Sequence, residues 1–304
     1  MNLSGVMTQL IALFMMMFIG FVTAKAGLIT PEFRRKLSAL ALATAAPCTI
    51  LGSAISGNIA GGEMLIVLGV ACLCYAALVV LAALLVRLAR VKPEEKKLDQ
   101  LMLIFTNVGF MGIPVVESLY GATGVAMVSM FILCFNVMFY SYGVMLICGS
   151  VKFDVKVLKN PCIFAALGAL FFALTGFSLP APIVVTLNSV GAMNTPLAML
   201  IIGASLCHSD LRAALTNPRL YRLSLMRMII VPACILALVK LLPVSPMLAG
   251  VTVIMAAMPV AGNCALLSDL YTPEDMTASH GVIISTLMSA LTLPLVCIAI
   301  SLAL

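Results

Sequence analysis

The stretch TNVGFMGIPVVESLYG, Thr106 to Gly121, lies inside a segment that otherwise reads as a membrane span, yet it carries Gly109, Gly112, Gly121 and Pro114. Helix breakers in such a place need a reason, and composition supplies the setting. The 304-residue chain is 63% hydrophobic and only 9% charged, with a mean hydropathy of +1.21. Soluble domains carry about 25% charged residues, so the solvent here is a lipid bilayer. Apolar runs of about 20 residues, each able to cross a hydrocarbon core of roughly 30 Å, recur along the whole chain.

Ten spans are expected: 7–26, 37–56, 64–88, 98–119, 125–149, 161–177, 183–206, 220–242, 247–270 and 278–302. Charge placement supports that number. With the N-terminus outside, the inner connections hold Lys25 and Arg34 to Lys36, then Arg87 to Lys97, then Lys152 to Lys159, then Arg212 to Arg227. That is sixteen of the seventeen basic residues, with Lys240 outside. The positive-inside rule accounts for this asymmetry, and omitting the short sixth span would put Arg212 to Arg227 on the wrong side. Both termini are therefore expected outside, in a plasma membrane of the bacterial inner-membrane type. The net charge of +6 is a topology signal rather than a mark of nucleic-acid binding.

The first 25 residues have no basic start or small-residue cleavage site and read as span one, not as a removable signal. The ten cysteines are scattered in apolar runs without metal-ligand spacing, so no metal and no cofactor is expected.

Internal symmetry follows from two offsets. Shifting the chain by 149 residues lays APCTILGSAIS from Ala46 over TPLAMLIIGAS from Thr195, and shifting by 151 lays ESLYG from Glu117 over SDLYT from Ser268. Both offsets map spans one to five onto spans six to ten. Five is odd, so tandem copies enter the membrane in opposite senses. The expected fold is an all-α integral membrane protein forming one domain, 1–304, of ten transmembrane helices. It is built as two inverted five-helix repeats, 1–152 and 153–304, with crossed discontinuous helices four and nine.

The glycines and proline now have a purpose. The middles of spans four and nine carry TNVGFMGIP and MPVAGN, so breakers occupy equivalent depths in both halves. An unpaired peptide group in hydrocarbon costs several kcal/mol, so broken backbone survives only inside protein or beside a cavity. A half-helix N-terminus there presents free N–H donors and partial positive charge, which favours a carboxylate. Candidate binding residues are Thr106, Asn107, Gly109, Gly112 and Pro114 in span four, and Pro259, Gly262 and Asn263 in span nine. Pro114 suits the first position of a half-helix. Thr44 and Pro47 in span two, and Asn194, Thr195 and Pro196 in span seven, form a second polar set. Its groups either face the same cavity or satisfy carbonyls freed by the prolines. Glu117 and Asp269, near the ends of spans four and nine, read first as snorkelling carboxylates. Arg227, a few residues into span eight, reads as an inward-facing snorkel, leaving no Lys or Arg at the centre.

These motifs resemble the auxin efflux carrier family of permeases, which includes the plant PIN-formed carriers and bacterial malonate and related carboxylate permeases. NVGFMGIPVVESLYG is similar to the family's fourth helix, VGAMNTPLAMLIIGASL to the seventh, and AAMPVAGNCALLSDLY and GVIISTLMSALTLPL to the ninth and tenth. The resemblance covers essentially the entire chain. It implies a scaffold of helices one, two, six and seven that forms a homodimer, and a transport unit of the rest that moves like an elevator. Asn107, Pro114 and Pro259 carry over as crossover residues. Thr106 stands where plant carriers have proline, and Glu117 and Asp269 stand where they have basic residues, which argues against auxin as the substrate.

The expected activity is secondary transport of a small organic anion, a mono- or dicarboxylate, with H⁺ or Na⁺ coupling left open. No enzymatic role is expected. A cation/proton antiporter of related architecture would need an acidic pair in span five, where 125–149 has neither Asp nor Glu. A non-transporting membrane sensor is the remaining alternative.

Overall fold

The computed structural model describes residues 3–56, 61–149, 161–177, 179–208, 214–271 and 276–304. Lys152, Lys156, Lys159 and Arg212 lie outside the described residues, as does the side chain of Asp269. The described residues are helical nearly throughout, and the only strand-like pairing among them is a single isolated bridge. Six stretches are long and apolar enough to cross a membrane: Pro31–Ser56, Gly61–Leu88, Val108–Ile147, Ala181–Cys207, Pro218–Val239 and Thr277–Ala303. Shorter apolar helices include Leu10–Lys25, Pro161–Thr175 and Pro246–Ala257. The stretch Val108–Ile147 takes in the end of predicted span four and most of span five. It bends at Gly121, whose φ of 62° and ψ of −156° leave the helical region at little steric cost only for glycine.

Proline punctuates these helices in two ways. Helices open at Pro31, Pro218 and Pro246, where a missing N–H is harmless, and the preceding Thr30, Asn217 and Ser245 accept a backbone N–H from the first turn. Within the helical stretches, Pro47, Pro114 and Pro232 each follow by two residues a π turn, namely Ala41–Ala45, Val108–Gly112 and Met226–Ile230. A proline leaves the carbonyl four residues back without its donor. Widening the preceding turn shifts each bond by one residue, as where Ala46 donates to the Ala41 carbonyl and Val231 to that of Met226. Span two therefore bulges at Pro47 rather than breaking.

The chain forms two compact units, each drawing on both sequence halves. The first comprises 1–69, 108–133 and 156–209. In it Leu3–Lys25 packs along Asn194–Cys207 through small residues: a Cβ at Gly20 would lie 2.6 Å from the Leu200 Cα, and one at Gly203 would collide with the Met17 carbonyl. Ala46–Ser56 packs on Pro161–Thr175 and Ala181–Gly191. The second unit comprises 70–107, 134–155 and 210–304. Its most buried pieces are the half-helices Lys96–Ile104 and Pro246–Ala257, of which Leu101 to Ile104 and Leu248 to Ala257 are buried throughout. The chain passes between the two units inside predicted span four, at Asn107 and Val108.

Candidate functional site

In the second unit the helix Lys96–Ile104 stops because Phe105 turns to φ −95°, ψ 110°, and Pro246–Ala257 stops because Met258 turns to φ −64°, ψ 148°. The next helical turns begin at Val108 and Gly262. The two extended pieces pair antiparallel through Thr106 and Val260. Asn107 N–H donates to the Pro259 carbonyl at 2.8 Å, and Ala261 N–H donates to the Phe105 carbonyl at 3.0 Å. Val260 N–H, on the other edge, donates at 3.1 Å to the Ser285 hydroxyl. Ser285 in turn donates within its own helix to the Gly281 carbonyl at 2.8 Å. Pro259 offers a carbonyl and has no N–H to strand, which suits it to this place. Peptide groups released by two broken helices are thus satisfied by each other and by one serine, as burial demands.

Around this bridge the packing is close. Phe105 sits edge-on to Phe135 and Phe139, with ring centroids 5.7 and 5.0 Å away. Thr106 is buried. Cys264, third residue of Gly262–Tyr271, points its thiol at the Leu101 and Phe105 carbonyls. Gly262 is exposed, with open space where a Cβ would stand, and the half-buried Asn263 side chain makes no hydrogen bond among the described residues.

The first unit holds the other candidates. Gly109 and Gly112 lie in the π turn Val108–Gly112, Gly109 half-buried beside open space and Gly112 buried. Pro114 is buried but does not start the half-helix, contrary to its expected role, because the π turn precedes it. The helix Asn194–Cys207 packs on that turn. Span seven is interrupted at Ala192 and Met193, and Thr195, just beyond, donates at 2.7 Å to the Glu117 carboxylate. Glu117 is therefore half-buried against a neighbouring helix rather than snorkelling. Asn194 is buried, and its amide nitrogen has no partner among the described residues. Pro47 is half-buried, Pro196 exposed, and Thr44, also exposed, returns its hydroxyl to the Leu40 carbonyl of its own helix at 2.7 Å.

The sequence reading missed three residues. Ser285 completes the bridge. Thr49, buried in Ala46–Ser56, donates to the carbonyls of Ala45 at 2.9 Å and of Gly191 at 2.8 Å, joining span two to the interruption of span seven. Arg227, expected to snorkel, is 0% exposed, and its three guanidinium nitrogens have no hydrogen-bond partner among the described residues. The expectation of no central cation is corrected accordingly. Among the described residues no three His, Cys, Asp or Glu side chains gather into a metal-holding group.

Comparison with known proteins places the chain among membrane transporters. Residues 5–154 and 150–297 match the family described as membrane transport protein, in two consecutive stretches that together span nearly the whole chain. The chain belongs to this family, the auxin efflux carriers. As a family member it is a multi-pass membrane protein, and the two matches fit a chain built from two halves. Its relatives include an uncharacterized transporter of Methanocaldococcus jannaschii, 26% identical over 95% of this chain and 97% of that protein. An uncharacterized transporter of Methanothermobacter thermautotrophicus is 24% identical over 96% and 97%.

Proposed function

We propose that this carrier is a secondary transporter that moves a small organic anion, a mono- or dicarboxylate, across a bacterial-type plasma membrane by elevator-like alternating access. The observation that carries the reading is the main-chain pairing of Phe105–Asn107 with Pro259–Ala261. Two helices broken at one place, with their freed peptide groups bonded to each other, allow new helical turns to start at Val108 and Gly262. The start at Gly262 directs N–H donors and partial positive charge toward an anion without any covalent chemistry. On this reading the ten spans form inverted repeats crossing at spans four and nine, both termini lie outside, and two copies form a dimer.

Glu117 is the natural carrier of H⁺ or Na⁺ coupling, since its carboxylate meets Thr195 at the interruption of span seven. Glu117→Gln would then keep substrate binding while losing dependence on the pH or Na⁺ gradient.

Proteoliposome counterflow tests the transport reading. Vesicles preloaded with a mono- or dicarboxylate should accumulate the labelled compound in excess of empty vesicles. Absence of exchange across a carboxylate panel, at two pH values and with or without Na⁺, would refute it.

A further inference from the structure

Among the described residues, Arg227 is a cation with no hydrogen-bonded or ion-paired partner. A guanidinium keeps its proton under all ordinary conditions, so burial does not remove the charge. Leaving such a charge unpaired in a protein interior is strongly unfavourable. The same helical stretch shows how this chain treats an arginine that is purely structural. Arg219 donates to the Asp99 carboxylate at 2.6 and 3.1 Å and lies 3.4 Å from Glu95. Arg227 has no such acid: Nε, Nη1 and Nη2 are all unpartnered among the described residues.

Its place in the second unit adds to this. The turn Met226–Ile230 packs on Thr277–Ala303, the helix of Ser285, and on Pro246–Ala257, the half-helix that ends at the bridge. The vacant fork therefore stands on a turn packed against the elements that build the paired interruption. A lipid headgroup is an unsuitable partner, because the side chain has no exposure.

We propose that Arg227 is the anchor for the substrate's carboxylate, its planar fork taking the two oxygens in a bidentate pair. The proposal rests on the carboxylate-transport reading and assigns its principal charge contact to a residue outside both interruptions. In the present conformation the fork is closed to solvent, so the anion reaches it only as the packing around it opens.

The test is a thermal-shift titration of purified wild type, Arg227→Met and Arg227→Lys with acetate, malonate and sodium chloride. Wild type should be stabilised saturably by a carboxylate, and Arg227→Met should bind it about ten- to hundredfold more weakly. Without ligand, Arg227→Met should melt no lower than wild type, since a naked buried cation has been removed. Arg227→Lys, which keeps charge and loses the fork, should bind with intermediate affinity; it carries the test alone if the methionine variant does not fold. Unchanged carboxylate affinity in whichever variant folds overturns the proposal, as does a wild-type response to chloride as strong as to carboxylates. A wild type that neither responds to nor exchanges any carboxylate sinks the transport reading itself.

Discussion

Two helix interruptions, one in each unit, are sealed by different means. At Phe105–Asn107 and Pro259–Ala261 the backbone bonds to backbone, and one serine closes the outer edge. At Ala192 and Met193 the neighbouring helix reaches in with a side chain, Thr49, whose hydroxyl meets the Gly191 carbonyl. There the two backbones also nearly touch: a Cβ at Gly191 would lie 2.9 Å from the Thr49 nitrogen and 3.0 Å from its Cα. Main-chain pairing spares the Asn263 side chain and leaves open space at Gly262. Side-chain sealing with tight backbone contact makes a joint. On the proposed function, the first interruption binds and the second stiffens.

Substitutions can break that assignment. The largest effect is expected from Asn107→Ala or Asn263→Ala, each abolishing uptake into vesicles while membrane expression persists; normal uptake by both would remove the first interruption from the site. Gly191→Val should act on folding instead, since the new Cβ meets backbone that cannot swing aside. A loss of at least about 1–3 kcal/mol is expected, read as a collapse in monodisperse yield; normal yield would show that the joint is looser than its geometry. Thr49→Val and Ser285→Ala should each cost about 1–3 kcal/mol by leaving a buried carbonyl or N–H unsatisfied. They should differ in function: per folded molecule, Thr49→Val keeps its uptake rate and Ser285→Ala loses part of it. Equal behaviour would erase the distinction. Thr44→Val, at an exposed hydroxyl bonded within its own helix, should shift melting by no more than about 0.5 kcal/mol equivalent and leave uptake intact.

The location of the breaks was legible from the sequence because glycine, proline and asparagine are conspicuous among apolar residues, and lipid tolerates broken backbone in few places. The break in span four falls at Phe105 to Asn107, a few residues before its estimated middle at Gly109. The partner groups were not legible. Ser285 and Thr49 resemble any small polar residue in a membrane helix, since such hydroxyls usually bond back to their own turn. Glu117 gave no hint of Thr195, because the two are 78 positions apart in the chain and meet only through packing. Arg227 was misread as lying near the start of its span. The helical stretch begins at Pro218, which makes Arg227 its tenth residue, roughly 15 Å along a 22-residue stretch and close to its middle.

Labelling of a cysteine at position 262 bears most directly on where the substrate sits. A Cβ there meets open space, so Gly262→Cys should fold and react with a small maleimide above the background from the exposed native Cys72. A carboxylate that the wild type exchanges should slow this reaction saturably, at the concentrations that support exchange. A labelling rate unchanged by saturating substrate would contradict the placement of the anion at the paired interruption.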